Sequence, residues 1–237
     1  HVGFSILDFG FGILRSKIRN QQSAIRNLRM GPRVINASRV RRPVGVRPFS
    51  HRREPRGKMT ATGERAVAVY PLQSSQMAEI VAQAETGYPE EICGIVIGKP
   101  GVPDTYQVRQ VRNIANQDRQ RDPAGFERDA RTAYRMDDRE VLRVLREADD
   151  AGWDVVNFYH SHPDHDAYFS LMDRDRALRV GDPSGSETLR ADKEPLWPGA
   201  NYLVVSVRRG RAVDARYYIW DEARGDFAEV PATLPGV

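Results

Sequence analysis

The sequence predicts one α/β domain, a curved mixed sheet of mostly antiparallel strands flanked by helices, behind a basic leader. Two observations predict the domain. Runs rich in β-branched and aromatic residues alternate with amphipathic helical stretches between residues 73 and 230. Arg209-Gly210 and Arg224-Gly225 separate the last runs closely enough for hairpins. A third observation sets the leader apart. Residues 1–58 carry fourteen Lys and Arg against Asp8 and Glu54, a balance of +12. Residues 59–237 hold the other 22 basic and 30 acidic side chains, a balance of −8. The expected division is a disordered leader over 1–66 and a domain over 67–237.

The leader repeats itself. Ser16-Lys-Ile-Arg-Asn20 recurs as Ser23-Ala-Ile-Arg-Asn27, and Gly3-Phe-Ser-Ile-Leu7 recurs as Gly10-Phe-Gly-Ile-Leu14, each seven residues on. A coiled coil needs apolar a and d positions sustained over several heptads, and Gly, Arg and Asn fill most of these. The chain opens on His, so the expectation is a translated upstream repeat with the true start at Met59. A basic tail and an Arg-rich targeting peptide are the alternatives.

The domain elements follow in order. Ser74–Glu85 places Met77, Ile80, Val81 and Ala84 on one helical face, with Gly87 as its stop. Glu91–Gly98 reads as a strand, Lys99–Asp104 as a turn and Thr105–Ile114 as a second strand. Residues 115–130 are polar and read as irregular. Asp137-x-x-Glu140 caps a helix reaching about Asp150, with Val141, Leu142, Leu145 and Ala148 expected inward. Trp153–Tyr159 is a strand running into His160. Ser170 reads as the N-cap of a further helix, with Asp173 at its third position. Asn201–Arg208, Val213–Trp220 and Phe227–Val230 complete the sheet.

Composition sets bounds on function. An apolar fraction of 40% and a charged fraction of 29% fit a soluble globular protein. The single cysteine, Cys93, rules out an intramolecular disulfide and fits a reducing, cytoplasmic setting. It sits in an apolar run, which suits a small core residue better than a nucleophile. No apolar run approaches the ~18 residues of a bilayer span, so no membrane role is expected. The basic pI belongs to the leader, and an acidic domain disfavours nucleic-acid binding.

The chemistry concentrates in residues 160–173. Three of five histidines, His160, His162 and His165, fall within six positions there. On a strand, His160 and His162 point the same way. Two imidazoles and a carboxylate, Asp173, are a familiar protein ligand set for a catalytic zinc that leaves one position open. Asp164, Asp166 and Asp175 fit a solvated loop, or a carboxylate that orients a ligand histidine.

His160-x-His162-x7-Ser170-x2-Asp173 resembles the metal signature of the JAMM (MPN+, JAB-like) metallopeptidases, in their short bacterial and archaeal form. Tyr88-Pro-Glu-Glu-Ile-Cys-Gly94 matches that family's Pro-x-Glu-x-Cys-Gly segment. The resemblance runs from about Gln73 to about Val230. It implies one zinc per chain on His160, His162 and Asp173. It further implies Glu91, rather than Glu90, as general base, and Ser170 as donor to the oxyanion. The implied substrate is the peptide or isopeptide bond following the tail of a ubiquitin-like sulfur-carrier protein. A non-catalytic MPN scaffold and a DNA-repair-type JAB-like domain are the alternatives, the first at odds with the complete ligand set and the second with the Glu-x-Cys-Gly strand and the acidic charge. The variable 182–198 segment is expected to form a groove wall through Trp197 or to serve only as a packed anchor.

Overall fold

The computed structural model describes residues 69–178 and 195–235, all within the second of two units, Ala66–Val237. The leader readings, including the Met59 start, and residues 182–194 lie outside the described residues. The sheet has six strands in the order β2-β1-β3-β4-β5-β6. In sequence these are β1 (Cys93–Gly98), β2 (Gln107–Val111), β3 (Asp154–Pro163), β4 (Asn201–Arg208), β5 (Arg211–Asp221) and β6 (Asp226–Pro231). Among the described strands only β3 and β4 run parallel. The expected mixed, mostly antiparallel sheet with flanking helices is the observed one.

Among the described residues four α-helices accompany it: α1 (Ser74–Gly87), α2 (Ala115–Arg121), α3 (Asp138–Asp150) and α4 (Leu171–Leu178). Side-chain alternation divides the core into two faces. Met77, Ile80 and Ala84 of α1 pack with Val96, Tyr159, Leu203, Val205 and Tyr217 on one face. On the other, Val144 and Ala148 of α3 meet Ile95, Ile97 and Val111, while Ala177 and Leu178 of α4 meet Tyr202, Val204 and Phe227. His160 and His162 extend from this second face. Gly94 is opposite Tyr159 in register, and a Cβ there would lie 2.2 Å from the tyrosine ring. That glycine is demanded by packing.

Besides a shorter β2, Gln107–Val111 in place of the expected Thr105–Ile114, the structure departs from the expectations in three places. First, β1 begins at Cys93. Glu91 N donates to Ala130 O at 2.6 Å and Ile92 N to the Ser161 hydroxyl at 2.9 Å, so neither amide joins the ladder, although Ile92 O still accepts from Ser161 N at 3.0 Å. Second, residues 115–121 are helical. No apolar stripe announces α2, which buries only Ala115 and Asp118. Its first turn is started by the Asn113 side chain, which accepts from Ala115 N at 3.0 Å, and Asp118 is ion-paired to Arg135. Third, the inward edge of α3 holds Val144 and Ala148, whereas Leu142 and Leu145 are only half-buried. The Asp137 cap itself is present, accepting from Arg139 N and Glu140 N.

This rotation of α3 is testable by urea unfolding. Val144 is 1% exposed. Val144→Ala should cost about 2 kcal/mol and Leu142→Ala under about 1 kcal/mol, although the leucine loses more carbons. The reverse order would return Leu142 to the core.

Candidate metal centre

Three elements converge on one buried point. β3 lies inside the sheet between β1 and β4, with His160 registered against Cys93 and Val204, and His162 against Ser206. After Pro163 the chain turns through Asp164, whose φ is 57°, and returns to start α4 at Leu171. The Ser170 hydroxyl accepts from Asp173 N at 3.1 Å, and the Asp173 carboxylate accepts from Ser170 N at 3.0 Å and from the hydroxyl. This reciprocal cap aims the carboxylate back at β3.

The donor atoms of His160, His162 and Asp173 all lie within 4.8 Å of one another, and all three residues are buried. His160 Nε2 is 3.1 Å from His162 Nε2 and 3.5 Å from Asp173 Oδ2; His162 Nε2 is 3.9 Å from the same oxygen. Ligand atoms around a tetrahedral zinc with bonds of ~2.0–2.2 Å stand roughly 3.2–3.6 Å apart. The donor triangle, with edges of 3.1, 3.5 and 3.9 Å, closes on such an ion with shifts of a few tenths of an ångström. The His162 tautomer also fits. Its Nδ1 is 2.9 Å from the Asp166 carbonyl, a pure acceptor, so Nδ1 carries the hydrogen and Nε2 offers its lone pair to the cluster.

Glu91 enters from the lead-in to β1, two residues before Cys93. It is 8% exposed. Burial pushes its carboxyl up to about 7, with His160 opposing and Asp173 adding to the shift. Glu90 points outward and accepts from Asn116 Nδ2 at 2.9 Å. Burial, then the neighbouring His160, pushes the His162 imidazole down to about 4, so it is neutral at pH 7. Burial pushes the Asp173 carboxyl up, but His160, the Ser170 hydroxyl and His162 together outweigh it and hold it below the ordinary carboxylate range. Cys93 is fully buried and its thiol is pushed far up by that burial, which leaves no thiolate at neutral pH.

With this geometry the chain can be set against known proteins. The family model for prokaryotic homologs of the JAB domain matches residues 73–216. The chain belongs to this family. It is 30% identical over 118 residues to a desampylase of Haloferax volcanii, covering 50% of this chain and 63% of that protein. The chain thus spans under two thirds of the desampylase's length. It is 29% identical over 152 residues to a CysO-cysteine peptidase of Mycobacterium tuberculosis, covering 64% of this chain and 83% of that protein. A solution structure of a protein from Desulfitobacterium hafniense is similar with a TM-score of 0.47 and 22% identity, over 69% of this chain and 91% of that one. The family read from the two motifs is the family the match shows.

Several residues of this JAB-family site had no mark in the sequence. The group that orients His162 is the backbone carbonyl of Asp166; the Asp166 carboxylate is exposed and pairs with Arg208 at 2.5 Å. The 164–167 turn is fastened from four sides. Asp164 N donates to Val207 O at 2.7 Å, the Ser206 hydroxyl to His165 O at 2.6 Å, the Tyr88 hydroxyl to the Asp164 carboxylate at 2.8 Å, and the Tyr218 hydroxyl to Ala167 O at 2.7 Å. The His165 side chain is exposed. Trp197 packs on Phe158, ring centroids 5.4 Å apart. Among the described residues no helix is long and apolar enough to cross a membrane.

The Glu91 shift has a consequence for stability in metal-free protein. Its folded-state value lies above the ordinary 4.5, so between pH 4.5 and 7 the native state holds a proton that the unfolded chain has released. Stability falls across that window and stays lowered above it. Urea unfolding in chelator should therefore show wild type losing stability relative to Glu91→Gln between those two pH values. Parallel curves for the two proteins would place Glu91 in solvent.

Proposed function

We propose that the chain is a zinc metallopeptidase. It hydrolyses the peptide or isopeptide bond that follows the C-terminal tail of a ubiquitin-like sulfur-carrier protein, with residues 67–237 as the catalytic domain. The observation that carries this reading is the buried meeting of two imidazoles and a carboxylate beside a second carboxyl, Glu91, that burial tunes to about 7. The names of the relatives, a desampylase and a CysO-cysteine peptidase, support a hydrolase that acts on protein conjugates.

His160, His162 and Asp173 would hold one zinc ion. When bound, that ion supplies a water acidic enough to act as nucleophile at neutral pH. Glu91 takes the proton and passes it to the leaving amine, and a carboxyl near 7 suits both transfers. The Ser170 hydroxyl, which donates to the Asp173 carboxylate in the substrate-free site, would turn from it to donate to the oxygen that becomes negative as the carbonyl is attacked. A scaffold that bound partners without chemistry would gain nothing from four buried ionisable groups at one point, which cost desolvation.

One experiment tests the reading. A carrier extended beyond its Gly-Gly terminus is incubated with wild type, Glu91→Gln and Ser170→Ala, each assayed for zinc. All three should contain about one zinc per chain, and both variants should cleave ~10²-fold or more slowly. A short peptide with the same cleavage sequence should be a poor substrate. Wild-type turnover by Glu91→Gln would remove it as the base, and equal rates on carrier and peptide would point to a general peptidase.

A further inference from the structure

His160 and His162 are steered by different means. His162 is fixed from behind by the bond from its Nδ1 to the Asp166 carbonyl. Among the described residues, His160 makes no hydrogen bond from Nδ1; the contacts of its ring nitrogens, to His162 at 3.1 Å and to Asp173 at 3.5 Å, both run through Nε2. Its ring instead lies face to face on Tyr134, with centroids 4.4 Å apart and planes 26° from parallel. A ligand imidazole with no acceptor behind it can rotate about χ2, whereas a metal site needs its donors held within ~10–20° of the productive geometry.

Tyr134 is itself held firmly. Arg176, one turn beyond Asp173 on α4, donates from Nη1 to Tyr134 O at 2.6 Å, and its guanidinium carbon lies 5.5 Å from the tyrosine ring centroid. On either side of Tyr134 the backbone is tied to Asn113. Asn113 Nδ2 donates to Ala133 O at 3.1 Å, and its Oδ1 accepts from Arg135 N at 3.0 Å. The same Nδ2 donates to Glu91 O at 2.9 Å, and the same Oδ1 accepts from Ala115 N. All four bonding positions of one amide are used, and they join the backbone carrying Glu91 to the loop carrying Tyr134.

We infer that Tyr134 is a positioning residue for the metal centre, its ring face holding the His160 imidazole as the Asp166 carbonyl holds His162, with Asn113 and Arg176 fixing the ring in turn. The inference rests on the reading of His160, His162 and Asp173 as metal ligands. It assigns the work to the ring and none to the hydroxyl. Tyr134→Phe should therefore behave as wild type, and a non-aromatic side chain should let His160 swing.

Cobalt(II) replaces zinc for the test, because its visible d–d bands report the symmetry of the ligand set as well as occupancy. Wild type and Tyr134→Phe should give the same tetrahedral bands and the same affinity. Tyr134→Leu should bind ~10-fold or more weakly, the scale for loss of a group that orients a ligand, with altered bands. If Tyr134→Leu does not fold, Arg176→Met takes its place. It keeps the ring but frees the Tyr134 carbonyl, and should also weaken binding and shift the bands. A leucine variant, or in its place the Arg176 variant, with wild-type affinity and bands would overturn the proposal. So would a phenylalanine variant as impaired as leucine. Failure of wild type to bind cobalt at all would strike the metal-centre reading first, and is distinct from either result.

Discussion

Everything in the site depends on β3 being unable to slip. It is hydrogen-bonded on both edges, to β1 and to β4, and buried on both faces from Tyr159 to Pro163. A shift of one residue would send Tyr159 and Ser161 to the donor side and both histidines into the α1 core. Tyr159 blocks that shift: it is fully buried, sits over Gly94 and bonds through its hydroxyl to Gln83 at 2.7 Å. The apolar face of the strand thus fixes the polar one. Packing energy on the α1 side determines that two imidazoles point together on the other side, 3.1 Å apart at Nε2.

Asp173 reaches the same point because the return from β3 to α4 is bolted down. Buried polar groups without partners are costly, and the 164–167 turn shows few of them. Its carbonyls and amides are taken up by Ser206, Val207, Arg208 and Tyr218. The Ser170–Asp173 cap then does two tasks at once. It satisfies the first turn of α4, and it turns the Asp173 carboxylate toward the imidazoles. Two carboxyl groups in one buried space are held apart in acidity by their neighbours. Asp173 has the imidazoles and a hydroxyl, whereas Glu91 has chiefly burial. The result is one group suited to remain a charged ligand and one suited to exchange a proton near neutral pH.

Much of this was legible in the sequence because it is written in local patterns. Strand alternation puts His160 and His162 on one face, Ser170-x-x-Asp173 is a cap signature, and a Pro-x-Glu-x-Cys-Gly segment precedes an apolar run. The groups that hold these residues left no local trace. Tyr134 comes from a stretch without periodicity and Asn113 from the end of an expected strand, and they matter through partners 20 or more residues away. The α2 helix was missed for the same reason, since a side-chain amide and a distant arginine stabilise it and an apolar stripe does not. The burial of Leu142 was misjudged because its place on the helical wheel is one step from the face that α3 turns to the sheet. The Asp166 carbonyl was invisible in principle, because every residue has one and only the fold decides which faces an imidazole.

The account stands most directly on the ligand set. X-ray absorption at the zinc edge of loaded protein reads that set without reference to activity. The structure predicts two imidazole nitrogens and oxygen ligands at ~2.0–2.2 Å, with the outer-shell scattering that imidazole rings produce. A sulfur ligand at ~2.3 Å, or a shell of oxygens without imidazole scattering, would contradict it.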